Sequence, residues 1–264
     1  MEKLENLRKY LTSLKSAAIA FSGGVDSSFL LKVAHDLLGD KVLAVTVRLH
    51  SFPEKDFHET EDFCKKYGIR QIIIDYNELD IAGFSKNPEN RCYLCKKAIF
   101  TKIKEVAKQE GFLEVCEGSN LSDTGDYRPG MQAISELGIK TPLMHCGFYK
   151  EEIRLFSRDM GLACWNKPSA ACLSSRFVYG EKITLKKLKM IEAGENLLHN
   201  MGFSQLRLRI HGEKLARIEI LPDELEKVLS LREKIIQQLK QLGFTYVTLD
   251  LQGFRSGSMN EVLK

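Results

Sequence analysis

Short apolar runs alternate with longer stretches in which apolar residues recur every three or four positions through the first two-thirds of the chain. Ala18 to Phe21 (AIAF), Lys41 to Val47 (KVLAVTV), Arg70 to Ile74 and Phe112 to Cys116 read as strands. Continuous apolar character of this kind marks strands buried on both faces. Phe29 to Leu38, Glu54 to Tyr67, Tyr93 to Gln109, Pro129 to Leu137 and Lys150 to Met160 carry the helical period. Strands alternating with helices predict an α/β fold built on a doubly wound parallel sheet. Ligands of such sheets bind beyond the carboxyl ends of the strands. The segment 77–91 has weak periodicity and contains Gly83 and Pro88, so it reads as a mobile loop near that end.

The pattern changes after Tyr179-Gly180. Thr184 to Met201 is helical, with Thr184 as its N-cap. Gln205 to Ile210 (QLRLRI) and Leu215 to Ile220 (LARIEI) alternate apolar and polar residues around His211-Gly212-Glu213-Lys214, which predicts a hairpin. Pro222 to Leu242 reads as one helix and Tyr246 to Leu251 as a last strand. The chain is thus expected to divide into a nucleotide-binding domain, residues 1–176, and a smaller α+β domain, 177–264.

Composition narrows the class only a little. A chain of 264 residues with 44% hydrophobic and 28% charged residues is an ordinary globular one. The net charge of +4 does not point to nucleic acid, which is not expected as a partner. No apolar run has membrane-spanning length, and the first sixteen residues form an amphipathic charged helix rather than a signal peptide. A cytoplasmic location is expected. Seven cysteines in that setting favour metal-binding or catalytic thiols over disulfides.

The chemistry concentrates after the first strand. Ser22-Gly23-Gly24 makes a turn, and Val25-Asp26-Ser27-Ser28 opens a helix. Backbone N–H groups at such a turn lack partners, the helix dipole adds positive charge, and glycine allows close approach. Ser22, Ser27 and Ser28 add hydroxyl donors, so a phosphate or pyrophosphate ligand is expected. The loop lacks the Gly-Lys-Ser/Thr ending of the Walker loop and the three spaced glycines of the dinucleotide fingerprint. Ser-Gly-Gly-Val-Asp-Ser instead resembles the PP-loop of the N-type ATP pyrophosphatases. That resemblance implies cleavage of ATP between its α and β phosphates and activation of a substrate oxygen by AMP.

Glu117-Gly118-Ser119-Asn120 follows the fourth strand and should face the same cleft. Asp123, Asp126 and Arg128 come just after it. Such a cluster serves loop solvation and helix capping, or, beside a nucleotide, Mg²⁺ binding by Asp26 and Asp123 and phosphate contact by Arg128. Cys92-Tyr93-Leu94-Cys95 is open among zinc, an iron–sulfur cluster, a redox pair and coincidence. Cys172 has small residues before it and Arg176 after it, which would stabilise a thiolate. Cys64, Cys116, Cys146 and Cys164 read as buried or incidental thiols. Arg207 and Arg209 alternate on one strand and share a face. Glu219 is a weaker candidate for a metal or substrate contact.

Together, SGGVDSS, EGSNLSDTGDYRPG and KPSAACLSSRFVYGE resemble the ATP-dependent sulfur transferases of nickel-pincer nucleotide cofactor biosynthesis, over nearly the whole chain. The resemblance implies a pyridinium dicarboxylate mononucleotide as substrate, adenylation of a carboxylate, and a thiocarboxylate product. It implies that Arg207 and Arg209 hold the substrate phosphate, with Arg176 as a further phosphate or carboxylate ligand. It also implies assembly into homo-oligomers. In one-cysteine members, the residue corresponding to Cys172 gives up its sulfur and becomes dehydroalanine. In three-cysteine members, a four-iron four-sulfur cluster carries a sulfide from a separate donor. Cys92, Cys95 and Cys172 match the second pattern, since three ligands leave one iron open. A tRNA-thiolating enzyme would also combine a PP-loop with three cysteines, but would bring a basic RNA-binding module. An ATP-dependent amide synthetase would need an ammonia source, and no glutaminase-type segment is seen.

Overall fold

A computed structural model of the chain describes residues 2–125, 129–168 and 171–263. They form two compact units, residues 1–78 with 90–170 and residues 79–89 with 171–264.

The first unit runs α1 (Glu2–Leu14), β1 (Ala17–Ala20), α2 (Val25–Leu38), β2 (Val42–Arg48), α3 (Glu54–Tyr67), β3 (Gln71–Asp75), α4 (Arg91–Gln109), β4 (Val115–Cys116), α5 (Gly130–Glu136), α6 (Pro142–His145) and α7 (Lys150–Asp159). Among the described residues, its strands pair in parallel in the order β3-β2-β1-β4. Successive residues of a strand face opposite sides. Ala17, Ile19, Val42 and Ala44 pack on one side with Leu7, Leu11, Phe29 and Phe148. Ala18, Leu43 and Val45 pack on the other with Phe100, Ile103, Phe112 and Ile134. Both faces are covered, so the expected doubly wound sheet is present. The chain goes from β1 outward to β2 and β3, then returns to place β4 on the other side of β1. The order reverses between β1 and β4, and the segments leaving these two strands are Ser22–Gly24 and Glu117–Asn120. A crevice at such a reversal is where open α/β sheets bind ligands.

The second unit contains α8 (Leu185–Asn200), β5 (Leu206–His211), β6 (Leu215–Ile220), α9 (Leu225–Ser230), α10 (Arg232–Gln241) and β7 (Tyr246–Leu249). β5 and β6 form the expected antiparallel hairpin, and β7 joins β6 in parallel. Leu206, Leu208 and Ile210 pair with Ile220, Ile218 and Ala216, all fully or almost fully buried. Helix α8 lies so close that a side chain on Gly194 would meet Leu208 Cδ2 at 2.2 Å. The opposite face of the hairpin pairs Arg207 with Glu219 and Arg209 with Arg217.

Three elements differ from the periodicity. The expected strand Phe112 to Cys116 pairs only over Val115–Cys116, because Phe112 N–H still closes the end of α4 on Ala107 O at 2.8 Å. The single helix expected over Pro222 to Leu242 divides at Leu231. Ser230 Oγ donates back to Lys227 O at 2.8 Å, a bond that competes with the helix backbone. The segment read as a loop at 77–91 contains two 3₁₀ turns, Glu78–Asp80 and Phe84–Lys86. Its residues 79–89 pack into the second unit, where Phe84 is buried, Asn87 Nδ2 donates to Val178 O and Gly180 N–H donates to Asn87 O.

Candidate active site

Ser22-Gly23-Gly24 leaves β1 while still tied to the sheet: Phe21 N–H donates to Val45 O, and Thr46 Oγ1 donates to Phe21 O. Gly23 has φ of +67°, and a Cβ there would press on Thr60 Cγ2 at 3.0 Å. Only glycine suits both constraints. The loop is braced by its own hydroxyls. Ser27 Oγ donates to Gly24 O at 3.1 Å, accepts from Ser22 N–H at 3.3 Å and lies 3.2 Å from Ser22 Oγ. Gly24, at the N-cap of α2, provides no side-chain cap for the orphan amides of the first turn. Ser28 Oγ is buried and has no hydrogen-bond partner among the described residues. An anion at this helix end would meet N–H donors and the positive end of the dipole.

Asp26 projects from the first turn of α2, and Lys150 Nζ, from the first position of α7, bonds to its Oδ2. Its other oxygen, Oδ1, is buried and has no hydrogen-bond partner among the described residues. Burial pushes the Asp26 carboxyl above the ordinary aspartate range, against the pull of Lys150. A buried, unpartnered carboxylate oxygen beside a phosphate loop suits a hard divalent cation, so the residues present fit Mg²⁺. Asp123 acts on Asp26 as a neighbouring negative charge, and its Oδ2 accepts from Asn120 N–H at 3.0 Å.

Gly118 completes this corner. A Cβ on it would sit 3.0 Å from Ser27 N and 3.2 Å from both Asp26 C and Ser27 Cα. The segment after β4 therefore packs backbone to backbone on the first turn of α2. Glu117 Oε1 accepts from Ser119 N–H at 2.9 Å, with Lys96 Nζ 3.8 Å from Oε2. Arg128 and Asp126, expected at this site, lie outside the described residues.

Three cations here escaped sequence reasoning: Lys150, Arg154 and Lys167. Lys150 and Arg154 share a face of α7 by their spacing of four. Arg154 donates to Trp165 O and Lys167 O. Lys167 Nζ lies between Asp56 and Glu59 of α3 at 2.9 and 2.6 Å. The helical period showed that α7 has a polar face, but nothing local disclosed what that face meets.

Cys92 is exposed and Cys95 half-buried in the first turn of α4, where a spacing of three puts them on one side of the helix. Arg91 Nη2 lies 3.9 Å from Cys92 Sγ. Cys172 is exposed at the N-cap of the 3₁₀ turn Leu173–Arg176. The CxxC pair belongs to the first unit and Cys172 to the second. Among the described residues, neither unit by itself sets three His, Cys, Asp or Glu side chains to hold a metal ion. Within the first unit, the Cys92–Cys95 pair on one side of α4 is a set of thiol donors of the kind iron–sulfur clusters take. Cys64 and Cys116 are buried, and burial pushes both thiols up to about 12. Cys146 is half-buried and its thiol is also raised by burial; Cys164 is half-buried.

In the second unit, Arg176, Arg207 and Arg209 gather with Glu195 and Glu219. Arg176 Nε and Nη2 meet Glu195 Oε1 and Oε2, both at 2.9 Å. Its Nη1 donates to Ala171 O, Cys172 O and Ser175 Oγ, so Arg176 holds the backbone around Cys172. Burial alone would raise the Glu195 carboxyl, but Arg176 outweighs it and the net shift is downward. Arg209 Nη2 bonds to Glu219 Oε2 at 2.8 Å and to Ser258 Oγ at 3.1 Å, while its buried Nε has no hydrogen-bond partner among the described residues. Arg207 lies 5.2 Å over the Phe254 ring, and burial together with Arg176 pushes it down to about 10. Glu219 is fully buried; its oxygens serve Arg209, Arg217 and Ser258.

Against known families, residues 2–109 match the model of the NAD synthase family. The chain is 40% identical over 264 residues to an uncharacterised protein of Synechocystis sp., covering 99% of this chain and 98% of that one. It is 36% identical over 256 residues to the pyridinium-3,5-bisthiocarboxylic acid mononucleotide synthase of Lactiplantibacillus plantarum, covering 96% and 92% of the two chains. The chain belongs to that synthase family, within the PP-loop ATP pyrophosphatases. It is an ATP-using enzyme of this family. Another family-length relative, an uncharacterised protein of Methanocaldococcus jannaschii, is 30% identical over 254 residues, covering 96% of each chain. No helix among the described residues is long and apolar enough to cross a membrane.

Proposed function

We propose that the chain adenylates a carboxylate of pyridinium-3,5-biscarboxylic acid mononucleotide and replaces one of its oxygens by sulfur. The observation that carries this reading is the nearly full-length match to a synthase named for the bisthiocarboxylic product. The carboxylate oxygen attacks the α-phosphorus of ATP, pyrophosphate leaves, and an acyl adenylate forms. Sulfur then attacks the acyl carbon and AMP leaves with the oxygen. The amides of Gly23 to Ser27 and the Ser22 and Ser28 hydroxyls bind the phosphates. Asp26, aided by Asp123, would hold Mg²⁺, which when bound offsets charge on the departing pyrophosphate. Arg207 and Arg209 bind the mononucleotide phosphate, Arg209 through its buried Nε, which has no partner among the described residues. Arg176 orders the Cys172 backbone while Glu195 neutralises it.

For the sulfur source, Cys92, Cys95 and Cys172 would be the ligands of a four-iron four-sulfur cluster, which would supply a sulfide when bound. The exposure of Cys172 at a turn whose backbone is held by Arg176 supports a second reading, in which its own thiolate forms a thioester, Cα then loses its proton to a base, and the Cβ–S bond breaks to leave dehydroalanine and a thiocarboxylate. Anaerobic reconstitution with iron and sulfide, followed by product counting and intact-protein mass, separates them. Cluster delivery gives several products per chain and leaves Cys172 intact. Sacrifice stops at one product and leaves dehydroalanine at position 172. Neither thiocarboxylate nor substrate-dependent pyrophosphate would refute both readings. Arg207→Ala or Arg209→Ala should weaken the mononucleotide more than ATP, by roughly 1.5–3 kcal/mol for one charge-assisted contact.

A further inference from the structure

The peptide between Gly23 and Gly24 decides what the glycine loop offers an anion. In a trans peptide the C=O and the following N–H point in opposite directions. With Gly23 O turned away from the anion, Gly24 N–H faces it; with the peptide turned over, a carbonyl dipole would face it instead. Glycine on both sides lets this peptide turn over at little steric cost. Ser27 Oγ ties Ser22 N–H at 3.3 Å and Gly24 O at 3.1 Å, and the peptide lies between those two ties.

Lys167, in the same compact unit, reaches this peptide from α3. Its Nζ lies 2.9 Å from Asp56 Oδ1, 2.6 Å from Glu59 Oε2 and 3.5 Å from Gly23 O. The two carboxylates take two of the three ammonium donors and leave the third to the carbonyl. A separation of 3.5 Å is long for a hydrogen bond, but a full charge at that range still aligns a peptide dipole. The Lys167 and Asp56 side chains are only 17% and 15% exposed, so water screens them little. Burial by itself would lower the Lys167 pKa, yet the bonds to Glu59 and Asp56 outweigh it and the net shift is upward, so the ammonium stays charged. Helix α3 is itself against the loop, since a Cβ on Gly23 would meet Thr60 Cγ2 at 3.0 Å and Asp56 O at 3.5 Å. The lysine backbone is held too: Arg154 Nη2 donates to Lys167 O at 2.7 Å, and Lys167 N–H donates to Cys164 O at 3.0 Å.

We propose that Lys167 is a positioning residue of the glycine loop: clamped by Asp56 and Glu59, it holds Gly23 O on the α3 side and so turns Gly24 N–H toward the phosphates of ATP. This rests on the reading of the loop as the ATP-phosphate site. Lys167 is not itself a phosphate ligand, since it would have to leave two carboxylates to become one. Nor does it only shield the phosphates from Asp56 and Glu59, because its contact with Gly23 O gives it a geometric task.

The full-length protein is titrated calorimetrically, with Mg²⁺ present, with α,β-methylene-ATP and with adenosine. Lys167→Met should weaken the triphosphate about tenfold, the loss of one N–H bond to a charged oxygen, and leave adenosine unchanged. Lys167→Arg, which can span both carboxylates, should restore most of the affinity. Asp56→Asn/Glu59→Gln keeps the ammonium but removes its clamp, and should also weaken the triphosphate. Asp56→Asn/Glu59→Gln/Lys167→Met leaves no charge unpaired, covers a failure of Lys167→Met to fold, and should be as weak as the single variant. An Asp56→Asn/Glu59→Gln protein that binds the triphosphate as tightly as the wild type, or more tightly, would overturn the proposal, because a shielding or ligand lysine gains when the carboxylates go. So would wild-type affinity in the triple variant, or adenosine weakened in step with the triphosphate. A wild type that binds α,β-methylene-ATP no better than adenosine would refute the phosphate reading of the loop and the proposal with it. A wild type that prefers the triphosphate, with every variant keeping that preference, would refute the role of Lys167 alone.

Discussion

Replacing Gly118 by alanine tests the packing on which the ATP site depends. The new Cβ would meet Ser27 N at 3.0 Å and Asp26 C and Ser27 Cα at 3.2 Å. All three are backbone atoms of the first turn of α2, with no flexible side chain to yield. Either the segment after β4 or the helix start must move. Overpacking of this kind costs about 1–3 kcal/mol. For a chain of this size each kcal/mol corresponds to roughly 2–4 °C, so the melting temperature should fall by about 2–12 °C. The displaced turn carries Asp26 and the phosphate amides, and misplacement on the ångström scale can cost about a hundredfold in rate. The assay pairs thermal unfolding with kcat/KM for ATP in pyrophosphate release. Gly24→Ala is the control for stability: its φ is −74°, and its Cβ would meet only Ser22 Oγ at an ordinary 3.6 Å. A Gly118→Ala protein with wild-type melting and wild-type kcat/KM would refute the reasoning. So would Gly24→Ala unfolding as early as Gly118→Ala.

Asp26→Ala should abolish pyrophosphate release while circular dichroism reports a retained fold, because Lys150 takes only Oδ2 and Oδ1 has no partner among the described residues. Glu195→Ala should destabilise the second unit by about 3–5 kcal/mol in denaturant unfolding, since it leaves Arg176 buried and unpaired. The folded-state pKa of Glu195 is lowered, so its stabilisation is complete above the unfolded glutamate value of about 4.3 and is lost as pH falls through the folded value. Acid unfolding of Glu195→Gln should lack that component. Iodoacetamide at mildly alkaline pH should label the exposed Cys92 and Cys172 first, and reach Cys64 and Cys116, held up near 12 by burial, only after unfolding.

The parallel sheet and the ATP loop were legible because their signals are local. An apolar run, two glycines and an amphipathic helix specify strand, turn and helix without reference to distant residues. The arginines of β5 were legible as a shared face, since alternation is a two-residue rule. The partners of Arg209 were not: Glu219 lies on β6 and Ser258 near the end of the chain. Lys150 and Lys167 went unnoticed for the same reason, because each meets its carboxylate across more than a hundred residues of sequence. The segment 77–91 misled the periodicity reading because two of its buried residues, Phe84 and Asn87, anchor through turns and single hydrogen bonds, which have no repeat.

The central claim is that this chain couples ATP cleavage to sulfur insertion at a pyridinium carboxylate. Its most direct test is one anaerobic incubation of the reconstituted protein with ATP, Mg²⁺, sulfide and pyridinium-3,5-biscarboxylic acid mononucleotide. AMP, pyrophosphate and the mononucleotide products are quantified together by mass spectrometry. The account predicts equal AMP and pyrophosphate, formed only when the mononucleotide is present, with sulfur replacing a carboxylate oxygen in the product. Pyrophosphate release indifferent to the mononucleotide, or an amide formed with ammonia in place of a thiocarboxylate, would contradict it.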